Sequence, residues 1–204
     1  MVTPQDIALR VQTHGLPEEK DALYSAVAGL DKFPETVSFL KTHPVQRLIG
    51  SFDKRGWPPS VSDDTSYGGS AGAYGADFED GKLLKEVILI DFKNKNAIVE
   101  GWRPGWTGIA PNAVPPFSYY TAVLVHELGH HFHTTQIMKH GPRLNELLNC
   151  MFEVSKPITQ YGRVDCREWI AESFTAYHYF PKDLEAWDPR MFAFFKTLLE
   201  RNQV

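Results

Sequence analysis

Apolar residues recur at the spacing of an α-helix through most of the C-terminal half of the chain. This pattern predicts four helices there, over residues 118–133, 143–154, 167–179 and 189–202. The N-terminal segment also has helical character, because Pro17 and Pro34 are each followed by an acidic residue, an arrangement typical of a first helical turn. We predict short helices over residues 6–14, 21–30 and 34–43.

The middle of the chain has the pattern of a small sheet. Apolar runs at residues 85–92 and 97–102, joined by a short polar segment, predict a hairpin, and residues 47–52 predict a further strand. Residues 56–80 are rich in Gly, Pro, Ser and Asp, so we expect loop or very short strands there. Within them, the Gly-rich residues 67–75 are expected to form a mobile loop that could act as a lid.

A small sheet that precedes a mostly helical half is typical of the α+β fold class. No repeat and no clear linker interrupts the chain, so we predict a single domain over residues 1–204. Its expected parts are a helical segment over 1–44, the sheet and a long helix over 45–133, and a second helical segment over 134–204.

Composition narrows the class of protein. The 204 residues are 43 % hydrophobic and 23 % charged, which is globular composition, and the net charge of −4 argues against a general nucleic-acid binder. The apolar run at residues 87–90 is far shorter than the roughly 20 residues of a membrane span. We therefore expect a soluble protein, as a monomer. Cys150 and Cys166 are too few for a disulfide framework; two thiols, at least one of them buried, are favoured over one bridge.

The segment His126-Glu127-Leu128-Gly129-His130 carries the strongest chemical signal in the chain. Two histidines at i and i+4 of a helix lie about 40° apart around its axis, so both imidazoles can reach one ion. A catalytic zinc takes three protein ligands and a water, and a glutamate beside the first histidine can act on that water as a general base. The alternative is a pair of hydrogen-bonded core histidines.

A second predicted helix offers a third ligand. Glu168 and Glu172 again stand at i and i+4, so they share a face of that helix. If Glu168 binds the metal, Glu172 lies one turn further on, where it can hydrogen-bond a ligand imidazole. The alternative is a pair of acids on a solvated face, but Trp169 and Phe174 make the helix apolar enough to bury at least one carboxylate.

Together these segments resemble the gluzincin metallopeptidases, and within them the catalytic domain of anthrax lethal factor and the related secreted Pro-Pro endopeptidases. Those families have a two-histidine helix, then a tyrosine, then a ligand glutamate at i+7 within a Glu-aromatic-x-Ala-Glu-x-Phe run. In this chain Tyr161 is followed at i+7 by Glu168, within the run EWIAESF of residues 168–174. The resemblance covers residues 118–180, and nothing before about residue 80 shares it.

The resemblance implies a zincin-like domain in which the two-histidine helix is the active-site helix, and a zinc-dependent endopeptidase acting on proteins or extended peptides. It implies one zinc ion per chain, bound by three ligands: His126, His130 and Glu168. Glu127 would be the general base, Tyr161 would donate its hydroxyl to the oxyanion, and Glu172 would orient His126.

Two alternatives stay open: a non-catalytic zinc-binding or toxin-accessory protein of the same fold, and a zinc hydrolase acting on a non-peptide substrate. Localisation also stays open, because the similar families are exported whereas residues 1–10 show no signal peptide.

Several other residues are expected to be structural. We predict that four further histidines lie outside the ligand set: His131, His133, His140 and His178. Trp102 and Trp106 lead toward the metal helix, where core packing is favoured over a role as a cleft wall. An edge strand could pair with extended substrate, but the sequence does not identify that strand.

Overall fold

The computed structural model of the protein describes residues 1–12, 17–50, 72–90 and 119–200. This part of the chain is mixed α+β and mostly helical, which confirms the predicted fold class. Its strands are β1 (Arg10–Gln12), β2 (Arg47–Gly50), β3 (Gly72–Glu79) and β4 (Lys82–Ile90). Its helices are α1 (Pro17–Ala28), α2 (Pro34–Thr42), α3 (Tyr119–His140), α4 (Pro142–Glu153), α5 (Cys166–Tyr179), α6 (Pro181–Trp187) and α7 (Pro189–Glu200).

The four strands form one sheet in the order β1-β2-β4-β3. Strands β1, β2 and β4 are parallel, whereas β3 runs antiparallel to β4. Strand β4 lies inside the sheet and its second half is buried, as its continuous apolar run Val87–Ile90 requires. Strand β3 ends the sheet, because no other described strand pairs with its outer side.

Strand β3, with eight residues, corrects the prediction of loop or very short strands for residues 72–79; the earlier part of that prediction, over residues 56–71, lies outside the described residues. A tight turn at Asp80 and Gly81 joins β3 to β4, and both residues have positive φ, 49° and 73°. An Asp-Gly turn with two left-handed residues has the twist that a β-hairpin needs. The structure therefore contains a hairpin of β3 and β4; the hairpin predicted between residues 85–92 and 97–102 falls largely outside the described residues.

The N-terminus corrects a second prediction, that of a helix over residues 6–14. A 3₁₀ turn spans Pro4–Ile7, and Thr3 and Asp6 cap its start reciprocally. Ala8 then takes a left-handed conformation, with φ of 52°, which ends the turn. The chain continues as β1, so the N-terminal part is not purely helical and contributes a strand that pairs with β2.

The C-terminal helices begin and end within a few residues of the prediction, except that α3 continues to His140 and α6 was not predicted. Their core is aromatic: Phe132 of α3 packs on Phe174 of α5 and Phe195 of α7, with ring centroids 5.4 Å and 5.7 Å away. All three are fully buried, and truncating a buried Phe to Ala typically costs about 3–5 kcal/mol.

Helices α3 and α5 approach each other closely at Gly129. A Cβ atom at this position would lie 2.8 Å from the Cα of Ala171, a distance that real Cβ atoms do not adopt. Gly129 therefore lets the middle of α3 lie directly against α5. This contact determines which side chains of the two helices meet.

Three smaller predictions can also be compared with the structure. Cys150 is exposed and Cys166 is buried, and both are free thiols, as predicted. Among the helices of the described residues, none is long and apolar enough to cross a membrane. Trp102 and Trp106 lie outside the described residues.

Candidate metal centre

Three predicted ligand side chains meet between α3 and α5. His126 Nε2 lies 3.2 Å from Glu168 Oε2, and His130 Nε2 lies 3.5 Å from the same oxygen. One possible ligand atom from each residue falls within 4.8 Å of the other two. In the described part of the chain, this is the group of histidine and acidic side chains with the geometry to hold a metal ion.

Local structure explains how Glu168 comes to face the two histidines. Asp165 precedes α5, and its Oδ1 accepts hydrogen bonds from the backbone N–H groups of Arg167 and Glu168, at 2.7 Å and 2.9 Å. This N-cap starts the helix so that Glu168 lies in its first turn, where the helix dipole favours a negative charge. The close contact at Gly129 then brings that turn against α3.

Glu172 contacts His126 on the ring nitrogen that faces away from Glu168. Its Oε1 lies 2.9 Å from His126 Nδ1, and both side chains are buried. Since a carboxylate only accepts hydrogen bonds, its position favours the tautomer of a neutral imidazole that carries the proton on Nδ1. The lone pair of His126 Nε2 then faces Glu168 Oε2, so two electron-rich atoms lie 3.2 Å apart.

A cation between these donor atoms relieves the arrangement: a proton on His126 Nε2 is one such cation, and the distances also allow a divalent metal ion such as zinc. Ligands bound to zinc at about 2.0–2.2 Å in a tetrahedron are about 3.3–3.5 Å apart. The two distances to Glu168 Oε2, 3.2 Å and 3.5 Å, are close to that edge length. The residues present therefore fit a divalent ion with mixed imidazole and carboxylate ligands.

The charges around His126 also favour a cation at this position. Burial lowers the pKa of His126, but hydrogen bonds to Glu168 and Glu172 outweigh burial and raise that pKa well above its usual value. Burial raises the pKa of Glu168, and the hydrogen bonds from the two histidines reverse this, so its pKa is lowered. The pocket therefore favours a positive charge between these side chains.

Glu127 lies beside the ligand group, on the face of α3 that meets β3. Its side chain is buried, and burial raises the pKa of its carboxyl group, although the neighbouring imidazoles act in the opposite direction. A raised carboxyl pKa brings proton affinity closer to neutral pH, which suits a group that takes and returns a proton. Glu127 also lines the cleft described below.

Tyr161 approaches the same group from the 3₁₀ turn Tyr161–Arg163. The turn is fixed by Thr159, whose hydroxyl oxygen accepts a hydrogen bond from the Gly162 N–H at 3.0 Å. The Tyr161 ring centroid is 5.9 Å from that of His126, and the residue is 40 % exposed, so its hydroxyl is accessible from the cleft. Burial and nearby carboxylates raise its pKa, so the phenol keeps its proton and remains a donor.

A cleft of about 240 Å³ runs between strand β3 and the metal-ligand group. One wall is the strand itself, from Gly72 to Ala76 with Phe78. The facing wall contains five of the six predicted site residues with some neighbours: His126, Glu127, His130, His133, Thr134, Tyr161, Arg167 and Glu168. Sequence reasoning missed the strand wall, because residues 67–75 were expected to form a mobile loop.

Tyr74 is one such missed residue, and it is firmly held. Its hydroxyl donates to Glu86 Oε1 at 2.7 Å, and its ring lies nearly parallel to that of His130, with centroids 6.2 Å apart. The same Glu86 oxygen lies 2.5 Å from His131 Nδ1, and His131 Nε2 lies 2.8 Å from the backbone carbonyl of His43. The hydrogen bonds of Glu86 thus hold the Tyr74 ring against His130, one of the candidate metal ligands.

The other histidines take separate positions. As predicted, His131 is not in the ligand group; it is buried against Glu86. His133 lines the cleft without joining that group, and His140 is exposed. His178 is half-buried and does not line the cleft; its Nε2 lies 2.8 Å from Thr36 Oγ1.

No protein-family model and no curated protein matches the chain.

Proposed function

We propose that the protein is a zinc-dependent endopeptidase of the gluzincin type, built on a zincin-like domain. The observation that carries the proposal is the joint placement of His126, His130 and Glu168 with Glu127 and Tyr161 in one cleft. Two imidazoles and a carboxylate are a known ligand set of catalytic zinc in peptidases.

His126, His130 and Glu168 would hold one zinc ion, with Glu172 fixing the orientation and tautomer of His126. When bound, zinc supplies Lewis-acid polarisation of a carbonyl group and lowers the pKa of water. The same three ligands would leave one tetrahedral position open toward the cleft, because no described side chain completes the group as a fourth ligand. Structural zinc sites, by contrast, are usually closed by four protein ligands.

Glu127 would act as the general base and then as the general acid. Its carboxylate takes a proton from the attacking water and returns it to the amine that leaves when the peptide bond breaks. Tyr161 would stabilise the negative charge that develops on the carbonyl oxygen by donating its hydroxyl hydrogen. Its raised pKa supports this role, because a phenol that keeps its proton can donate throughout the reaction.

Strand β3 supports a peptide as the substrate. It is the last described strand of the sheet and forms a wall of the cleft, so an extended chain could add to it by main-chain hydrogen bonds. Residues Gly72, Ala73, Gly75 and Ala76 carry little or no side chain, which leaves room for the side chains of a bound peptide. A cleft with a strand as one wall suits an endopeptidase better than a hydrolase of small molecules.

Both alternatives differ from the peptidase proposal in predicting that peptides stay intact. A non-catalytic zinc protein would bind zinc and cleave nothing, and a hydrolase with a non-peptide substrate would bind zinc and leave peptides intact. The test is a diverse peptide library incubated with the zinc-loaded protein and with Glu127→Gln. We expect the wild-type protein to cut internal peptide bonds and Glu127→Gln to lose about 10²–10⁴-fold in rate with zinc retained. Full turnover by Glu127→Gln would reject the general-base role.

A further inference from the structure

We propose that Arg167 and His133 form a subsite at one side of the cleft that binds a carboxylate group of the substrate. This inference rests on the proposed function, since it concerns the peptide that the cleft would bind. The carboxylate can come from an acidic side chain or from a free C-terminus of the peptide.

His133 supplies a polar atom that the described protein does not use. The residue is 5 % exposed and lines the cleft, and its Nε2 is buried without a hydrogen-bond partner among the described residues. A buried polar atom without a partner costs free energy, so such atoms are normally satisfied by a ligand or by water. Burial lowers the pKa of His133 to about 4, so at neutral pH the ring is uncharged and can carry its single proton on Nε2.

Arg167 supplies the charge. It lines the same cleft from the first turn of α5, and its side chain is 74 % exposed. Among the described residues that line the cleft, it is the one with a permanent positive charge. Both residues line the same cleft, and the guanidinium charge of Arg167 adds to the effect of burial in lowering the pKa of His133.

The present partner of Arg167 leaves it available. One guanidinium nitrogen lies 3.4 Å from Asp165 Oδ2, a long contact between two exposed groups, and exposed ion pairs contribute little to stability. Guanidinium has five N–H donors, so most remain unused by this contact. Asp165 does not line the cleft, and its other oxygen is occupied by capping α5.

The two groups have the chemistry of a carboxylate site. Guanidinium and carboxylate form charge-assisted hydrogen bonds, and a neutral imidazole N–H adds a second donor. The remaining charges that line the cleft, Glu127 and Glu168, belong to the catalytic side, where zinc would offset them. An acidic group on the other side of the cleft would therefore be drawn to Arg167.

The test uses zinc-loaded protein and fluorogenic peptides in which a single Glu replaces Gln at successive positions, each made with a free and an amidated C-terminus. We expect one Glu position, or the free C-terminus, to raise kcat/KM by about tenfold, the effect of one charge-assisted hydrogen bond. In Arg167→Gln the ratio should fall to about one. Arg163→Gln removes a nearby charge that does not line the cleft, so it should keep the tenfold ratio.

His133 is tested by a pair of variants, because the residue is buried and its loss could disturb the fold. His133→Phe should reduce the carboxylate preference, and His133→Gln, which keeps a donor, should preserve part of it. Zinc content and melting temperature are measured in both. Equal preference in the wild type, Arg167→Gln and His133→Phe would overturn the subsite.

A binding measurement separates failure of the subsite from failure of the proposed function. Pools of the same peptides, fluorescently labelled, are titrated with zinc-loaded Glu127→Gln and its Arg167→Gln double variant. Tighter binding of a Glu pool or a free C-terminus that depends on Arg167, with no cleavage by the wild type, would keep the subsite and reject the peptidase. Cleavage by the wild type with equal binding of the Glu and Gln pools would keep the peptidase and reject the subsite.

Discussion

The backbone of Gly72 lies directly against the carboxylate of Glu127. A Cβ atom at position 72 would stand 2.7 Å from Glu127 Oε1, 2.6 Å from a methyl carbon of Val123 and 3.0 Å from the carbonyl oxygen of Leu89. Two of these neighbours belong to the facing helix α3 and one to the paired strand β4. A Cβ atom at position 72 would therefore clash unless at least one of them moved. The glycine is therefore what allows strand β3 to run this close to Glu127, the proposed general base.

Gly72→Ala should displace the Glu127 carboxylate and leave the metal ligands in place. We expect kcat to fall by about 10- to 100-fold, because small misplacements of a catalytic group have effects of this size. Zinc content should stay at the wild-type value, since the new methyl group does not face His126, His130 or Glu168. The measurement is steady-state kinetics on a cleaved peptide beside elemental analysis. Wild-type kcat in this variant would show that Glu127 tolerates the shift.

Removing either of the two carboxylates around the histidines should weaken zinc binding, to a different degree for each. Glu168→Ala deletes a ligand and should give the larger loss, whereas Glu172→Gln disturbs only the orientation of His126 and should cost about 10- to 100-fold in affinity. Glu185→Gln, on the exposed face of α6, is the matched control and should change nothing. Competition with a chromogenic zinc chelator gives the affinities. An unchanged stoichiometry and affinity in Glu168→Ala would remove it from the ligand set.

Tyr161→Phe should separate catalysis from metal binding. The ring and its contact with His126 remain, and only the hydroxyl donor is lost. We expect kcat to fall by about 10²–10³-fold with little change in KM or zinc affinity, because the donor would act on charge that appears only in the transition state. A rise in KM at constant kcat would instead assign the hydroxyl to substrate binding.

His178 should make the fold sensitive to acid. Its half-buried ring packs beside Phe33 and Phe174, and desolvation lowers its pKa to about 3, against about 6.5 in an unfolded chain. Between these values the unfolded chain binds the extra proton, so stability is complete above pH 6.5 and falls as pH decreases. The loss approaches about 1.4 kcal/mol per pH unit.

His178→Phe should flatten that dependence, although it leaves the Thr36 hydroxyl without its partner and so lowers stability at pH 7. Urea unfolding of both proteins between pH 7 and pH 4.5 measures the difference in slope. Zinc loss at low pH affects both proteins alike, so the comparison isolates the histidine. Parallel pH profiles would show that His178 is not the titrating group.

The candidate ligand group could be predicted because the spacing of residues along a helix determines which side chains share a face. His126 and His130 meet through the i, i+4 spacing alone, and Glu168 and Glu172 follow from the same rule on a second helix. What the sequence left open was how the two helices meet. The packing of the two helices depends on the contact of Gly129 with Ala171. This is a tertiary contact, and no local sequence pattern predicts it.

Strand β3, which forms one wall of the cleft, was not predicted because its own sequence gives only a weak local signal. Strand β3 begins with Gly72, Ala73, Tyr74 and Gly75, residues with little strand propensity of their own, so the segment resembles a loop. Pairing with the strongly apolar β4 overrides that weak preference. The Asp-Gly turn that follows was the signal that could have identified the hairpin.

Glu86 was overlooked because a single acid ahead of an apolar run gives no periodic pattern. Its importance comes from two partners distant in sequence, Tyr74 and His131, that meet it only in the folded sheet and helix. His133 and Arg167 are similar, because their common position in the cleft depends on the packing of α3 against α5.

The central claim is that His126, His130 and Glu168 hold a catalytic zinc ion. The most direct measurement is the zinc content of the purified protein together with cleavage of a peptide library, before and after treatment with a chelator and after zinc is restored. The account predicts one zinc per chain, cleavage that stops on chelation and returns with zinc, and no cleavage by Glu127→Gln. A protein that binds no zinc, or one whose cleavage is indifferent to the chelator, would contradict it.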